Sequence, residues 1–388
     1  MSLARATPPE DKVAELVRCA GPALKACLLH GTSFASTKPI SIDSLEHEVS
    51  AITYNRMSAV ALDYIQHHDL QISESTLRAY RTGAIQSAVT CLETESNSYS
   101  AIYALTELNI PFVVIKGPAI ARFHPNPASR PFTDIDLLIP PEFFGKAKSA
   151  LNDVGYYRKD SAQQPWEWFE RICIESVNLR TSRGGRIDLH HHLPPWILGS
   201  LFPASEIIAR ADEGQIGKLA VKFASLEDSL VISSLHIIND LGKHDLSVVS
   251  WRDTLCISDL LGMERVKDIF QKAQLSWYQP YIDQTHNALM DQVAQSPNYY
   301  PRRIRQQYRL RQLGWQGSTF ASRHPIGWIF RLPISRALCF LIGSLFPSPL
   351  YAQHKHDGYF RYWMYTMRSI VQARRGSRFG HSDNSGLN

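Results

Sequence analysis

An α+β fold is predicted, a small sheet held between helical regions, and three observations predict it. Apolar residues recur at helical spacing in 10–30 and 76–108, and again from Leu226 onward. Between them, residues 112–192 alternate short apolar runs of strand length with helical ones. The 388 residues are 44% hydrophobic and 20% charged, ordinary for a globular chain able to form two or three domains.

The elements follow in order. In 76–108 the positions Leu77, Tyr80, Ala84, Ala88, Cys91, Ile102 and Leu105 share one helical face. This helix ends near Asn109, because Ile110-Pro111 disfavours its continuation. Phe112 to Ile115 reads as a buried strand. Gly117 then allows a tight turn, and Pro118 suits the first position of a helix. Residues 135–139 form a second strand, and a helix from Glu142 to Val154 follows two prolines. Ile172 to Leu179 and 186–190 are read as strands around an Arg183-Gly184-Gly185 turn. Leu226, Leu230, Ser234, Ile237 and Leu241 begin a helical region that includes a helix around Trp251 to Leu261 and runs to about 375. The tail from Gly376 is polar and rich in Gly and Ser, and is expected to fray.

Chemistry concentrates in RPFTDIDLLIP, Arg130 to Pro140. Strand residues alternate faces, so Asp134 and Asp136 point to one spot while Ile135, Leu137 and Ile139 point away. Two carboxylates so close repel unless a cation lies between them, and a divalent ion with oxygen ligands fits. Upstream, Lys116-Gly117-Pro118 is a strand-to-helix turn suited to an anion, with backbone N–H groups and a lysine together.

At these residues the chain resembles the nucleotidyltransferase superfamily that includes DNA polymerase β. It is most similar to a bacterial branch marked by Ile115-Lys116-Gly117, Arg130 and Asp134-Ile135-Asp136-Leu137-Leu138. The resemblance runs from about 75 to 270 and implies a mixed-sheet catalytic core flanked by N- and C-terminal helical domains. The divisions expected are a helical region 1–110, a catalytic core 111–195, a helical accessory domain 196–375 and a flexible tail 376–388. It also implies a third metal carboxylate on a later strand, for which Asp188 in GGRIDLHHHL is the candidate. Asp134, Asp136 and Asp188 are then the catalytic and metal-binding set. Lys116, Gly117, Arg130, Thr133 and His190 are the nucleotide-binding candidates. One departure stands out: many members carry Gly-Ser at the phosphate turn, whereas Lys116-Gly117-Pro118 has no hydroxyl.

The implied reaction is attack of an acceptor hydroxyl on the α-phosphorus of a nucleoside triphosphate, with pyrophosphate leaving and Mg²⁺ or Mn²⁺ stabilising the developing charge. ATP is the expected donor, with AMP passed to a peptide natural product, a sugar or an antibiotic. Two alternatives stand beside it: a catalytically silent scaffold for nucleotides or polyanions, and an enzyme that AMPylates a protein partner.

Other histidines invite metal readings. His190 and His192 would share a strand face with Asp188 and could bind zinc. The magnesium-like carboxylate pair instead favours His190 orienting Asp188 or touching the triphosphate, with His191 packed or solvated. His236, His244-Asp245 and Asp253 or Asp259 resemble a phosphohydrolase metal set. The first two are only eight residues apart, so core or capping roles are expected. Trp251 and Trp277 are read as core.

Six scattered cysteines without a CxxC pair argue against a disulfide framework or zinc ribbon and fit a reducing cytoplasm. The N-terminal MSLARATPPEDKVAEL has no apolar segment of signal-peptide type. The run Ala337 to Phe346 is too short to span a bilayer. The net charge of +5 conceals an imbalance: residues 301–388 carry 14 Lys/Arg and two Asp, giving +12, and the rest carries −7. Aromatic and aliphatic residues interleave the basic ones, so the segment is expected to dock on the body rather than recruit nucleic acid.

Overall fold

In a computed structural model the structure describes residues 20–36, 38–158, 167–194, 199, 201–240, 247–273 and 275–276. It also describes short pieces at 342–343, 346–348 and 358–364. The basic runs 302–311 and 373–378, most of the apolar run 337–346, His244-Asp245, Trp277 and the tail from 376 lie outside these residues.

Four short helices come first: α1 (Pro22–Leu29), α2 (Ile42–His47), α3 (Val49–Tyr54) and α4 (Ser58–His67). The 34-residue α5 (Glu74–Glu107) follows. It starts where the Ser73 side chain accepts the Thr76 amide, and Glu74 favours the positive end of the helix dipole. It ends with Asn109 at φ +51°. There Ile110 N–H returns to the Leu105 carbonyl at 3.0 Å and Asn109 N–H to that of Thr106 at 2.9 Å. That double return is a Schellman stop, just ahead of Pro111.

The next elements are β1 (Val113–Val114), α6 (Pro118–Ala121), β2 (Ile135–Leu138), α7 (Phe144–Asp153), β3 (Tyr157–Arg158), α8 (Glu167–Cys173), β4 (Ser176–Arg180) and β5 (Arg186–His190). After these come α9 (Ala204–Ala209), β6 (Asp212–Ile216), β7 (Leu219–Phe223), α10 (Leu226–Asp240), α11 (Val248–Leu261) and α12 (Met263–Lys272).

One seven-stranded sheet has the order β3-β4-β5-β2-β1-β7-β6. It is mixed: β2 runs parallel to β5 and β1 to β7, while the other pairings are antiparallel. On one face Ile135, Leu137, Val177, Leu179, Ile187 and Leu189 pack against Ile102 and Leu105 of α5 and Phe144 and Leu151 of α7. On the other, Val113, Ile115 and Leu138 meet Leu230 and Leu235 of α10, Trp251 and Ile257 of α11, and Phe270 of α12. A third cluster joins α1 to α4 with Tyr80 of α5 and Val248 and Leu255 of α11. The architecture is therefore α+β, with helices on both faces of a mixed sheet.

Three sequence expectations need correction. Residues 172 and 173 close α8, so the strand read as Ile172 to Leu179 begins only at Ser176. The sheet also extends past residue 195, where the sequence reading ended the core and foresaw only helices. The hairpin β6–β7 adds two strands there, closed by Gly217 at φ +57° in a two-residue turn of the primed kind. Its Val221 and Phe223 are buried beside β1. Finally, α6 is a single turn of four residues, so the anion site expected at a helix start has little helix behind it.

Candidate active site

The parallel pairing of β2 and β5 sets Asp136 directly beside Asp188 and Leu138 beside His190. Partners in a parallel pair point to the same side, so both carboxylates and the imidazole share the face covered farther along by α10 and α11. Asp136 Oδ1 lies 3.1 Å from His190 Nε2, and Asp188 Oδ2 lies 3.2 Å from the same nitrogen. Lys116 Nζ donates to Asp136 Oδ1 at 3.0 Å from the end of β1. Asp188 Oδ1 is shielded from solvent and has no hydrogen-bond partner among the described residues.

Asp134 stands one residue ahead of β2 rather than within it. Among the described residues, the group whose ligand atoms all lie within 4.8 Å of one another is Asp136, Asp188 and His190, without Asp134. Burial, and then the Asp136 charge, push the Asp134 carboxyl up to about 6. Burial also opposes charge on Asp136, but Lys116 and His190 outweigh it and hold that carboxyl well below the usual range. Asp188 is lowered too, with the His190 charge overcoming burial. Burial would depress His190, yet Asp188 and Asp136 raise it to about 10, so the imidazole is a cation at neutral pH. Three carboxylates thus face two side-chain cations, and one shielded carboxylate oxygen lacks a donor. That oxygen-rich donor set fits a hard divalent ion.

Gly117 adopts φ +61° and ψ −120°. A Cβ there would sit 3.3 Å from the Asp134 carbonyl oxygen, so the turn beside the carboxylates needs glycine on both conformational and steric grounds. Lys116, Gly117, Thr133, Asp134, Asp136 and Asp188 line a cleft of about 530 Å³.

Arg130 departs from its expected role. Its Nε and Nη2 bind Asp253 of α11 as a fork, at 2.9 and 2.8 Å, and its Nη1 points to the Gly117 carbonyl at 3.3 Å. Arg130 and Asp253 are both buried, and His124 Nε2 donates to the same carboxylate at 2.7 Å. Arg130 therefore clamps the Gly117 turn to α11 instead of standing ready for a phosphate. Asp253 is buried, in keeping with the core role expected of it, but its pairing with Arg130 was not read in sequence. An acid between Arg252 and Leu255 in a largely buried helix signals a buried partner, but not which one.

The other histidine readings resolve as follows. His191 packs on Phe144 with ring centroids 4.2 Å apart and donates to the Glu170 carbonyl. β5 ends at His190, so His192 is not on the strand, and it does not join the metal-capable group among the described residues. His236 lines the cleft. Asp259 accepts from the Ser33 amide at 3.2 Å and from its hydroxyl. Trp251 is core.

The His124–Asp253–Arg130 group predicts a pH response. Burial lowers the His124 pKa more than Asp253 raises it. The unfolded chain, with histidine near 6.5, therefore takes up the proton first, and stability falls as pH drops below about 6.5. Asp253 is held well below the carboxylate range, Arg130 and His124 outweighing burial. Its contribution is full above about pH 4 and is lost as pH falls further toward its folded value. Melting curves from pH 8 to 3 should decline in two stages, and His124→Gln should reduce the upper one, to which His30 and His68, also lowered by burial, contribute the remainder.

Residues 46–272, more than half of the chain, match the model of a family described as uncharacterised nucleotidyltransferase. No curated protein matches the chain. Among solved structures, that of the antibiotic-resistance factor ANT(2'')-Ia in solution is similar at 17% identity, covering 50% of this chain and 97% of that one, with a TM-score of 0.34. No helix among the described residues is long and apolar enough to cross a membrane. A match of that extent makes the chain a member of this nucleotidyltransferase family, and so an enzyme.

Proposed function

We propose that the protein transfers a nucleoside monophosphate, AMP from ATP, to the hydroxyl of a small acceptor such as a sugar, an antibiotic or a peptide natural product. The observation that carries this reading is the register of Asp136 beside Asp188, with the shielded Asp188 Oδ1 lacking a donor and the Lys116-Gly117 turn next to it. Asp134, Asp136 and Asp188 would hold Mg²⁺ or Mn²⁺. Such an ion, when bound, supplies positive charge to phosphoryl oxygens and favours the deprotonated acceptor.

In the reaction the acceptor oxygen bonds to the α-phosphorus. The bond from that phosphorus to its bridging oxygen breaks, and the electron pair departs on pyrophosphate. Asp188, whose carboxylate lines the cleft, would accept the hydroxyl proton. Lys116 offsets the added negative charge, and Gly117 lets the backbone come close to the phosphates. Thr133, half-buried in the cleft wall, offers a hydroxyl. We also infer a reducing cytoplasm as the setting, which suits the free thiols of Cys27, Cys91 and Cys256.

The test is incubation with each NTP labelled at the α-phosphate, Mg²⁺ or Mn²⁺, and a panel of hydroxyl compounds. Metal-dependent pyrophosphate release with label on an acceptor is expected. Release of orthophosphate alone would replace transfer by hydrolysis.

A further inference from the structure

A nucleoside triphosphate brings several negative charges into a cleft already lined by four carboxylates, Asp134, Asp136, Asp188 and Asp253. Among the described residues three Lys/Arg side chains line that cleft: Lys116, Arg130 and Arg56. Lys116 is paired with Asp136, and Arg130 is held in the buried fork with Asp253. Arg56 is exposed and has no carboxylate at ion-pair distance among the described residues.

The backbone at Arg56 makes its identity informative. Helix α3 ends in a Schellman stop: Met57 N–H returns to the Ile52 carbonyl at 2.9 Å and Arg56 N–H to that of Thr53 at 3.0 Å. Met57 and Ile52 are both buried, completing the usual apolar contact. Arg56 is the left-handed residue of that stop, at φ +57°. Glycine is preferred there, and a side chain adds strain. The turn gains nothing from arginine, whereas the cleft gains a guanidinium able to hold two phosphate oxygens.

We propose that Arg56 binds the phosphate tail of the nucleoside triphosphate and balances the pyrophosphate as it leaves, the task Arg130 cannot perform while clamped to Asp253. This rests on the nucleotidyl-transfer reading. It assigns part of the nucleotide site to the helical N-terminal region, so the triphosphate would bridge that region and the sheet.

The experiment compares wild type with Arg56→Gly and Arg56→Lys by titration calorimetry with pyrophosphate and with ATP, by melting, and by label transfer. Arg56→Gly should melt at or above wild type, since glycine suits the turn. It should bind pyrophosphate and ATP about ten- to a hundredfold more weakly, as expected for loss of a charge-assisted contact. The KM for NTP should rise while that for the acceptor stays unchanged, and Arg56→Lys should fall between. If Arg56→Gly melts lower, Arg56→Asn, the other residue favoured at that turn position, replaces it in the same measurements. Wild-type affinity for both ligands in the stable variant overturns the role of Arg56 and leaves nucleotidyl transfer standing. A wild-type protein that binds no NTP overturns both.

Discussion

Asp136→Asn is expected to lower nucleotidyl transfer by about a thousandfold or more, measured as label transfer per folded molecule. The substitution keeps the shape of the side chain and removes the charge. Stabilisation of phosphoryl charge by a held metal is worth several kcal/mol, and about 1.4 kcal/mol corresponds to each factor of ten in rate. The fold will feel the change as well. Asp136 is 5% exposed and bonded to Lys116 and His190, and its loss leaves two cations sharing Asp188. Removing one member of a buried ionic group costs about 3 kcal/mol or more. A thermal melt must therefore accompany the assay. Asp188→Asn supplies the second arm, because it takes a carboxylate from the same cluster while Asp136 keeps Lys116. Both variants should be folded at the assay temperature and inactive. If folded Asp136→Asn turns over like wild type, the chemistry does not run through this cluster.

The strands that carry these residues were legible because each is a local pattern. Ile135 to Leu138 and Arg186 to His190 read as strands from their apolar alternation, and α5 from its spacing. The meeting of Asp136 and Asp188 was not legible from spacing. It depends on parallel pairing of strands 52 residues apart, which only the family resemblance suggested. The hairpin β6–β7 carried a local signal, inward Leu219, Val221 and Phe223 at period two after a glycine turn. Its short strands lay in a region otherwise helical, and their burial comes from β1, more than a hundred residues earlier. Arg130 shows the deeper limit. Its type and position suit a phosphate ligand, but a buried guanidinium takes whatever carboxylate the tertiary packing supplies, and here that is Asp253.

Arg130 and Asp253 therefore furnish the second large effect. Arg130→Met alone strands a buried carboxylate, and Asp253→Leu alone strands a buried guanidinium. Each single change should cost about 3–5 kcal/mol in chemical denaturation. The double variant removes both charges and fills the space with apolar atoms, so it should recover most of that loss, and its effect is not the sum of the single changes. His124, which donates to Asp253, then loses its acceptor, so recovery should stop short of wild type by about 1–2 kcal/mol. The same double variant separates the two roles of Arg130. A clamp whose work is structural leaves NTP affinity within a few-fold of wild type once stability is restored, because Lys116 and Gly117 still line the cleft. An arginine that grips phosphate would instead leave a stable protein with NTP affinity reduced tenfold or more. The fork at 2.8 and 2.9 Å, together with the burial of both partners, points to the first result.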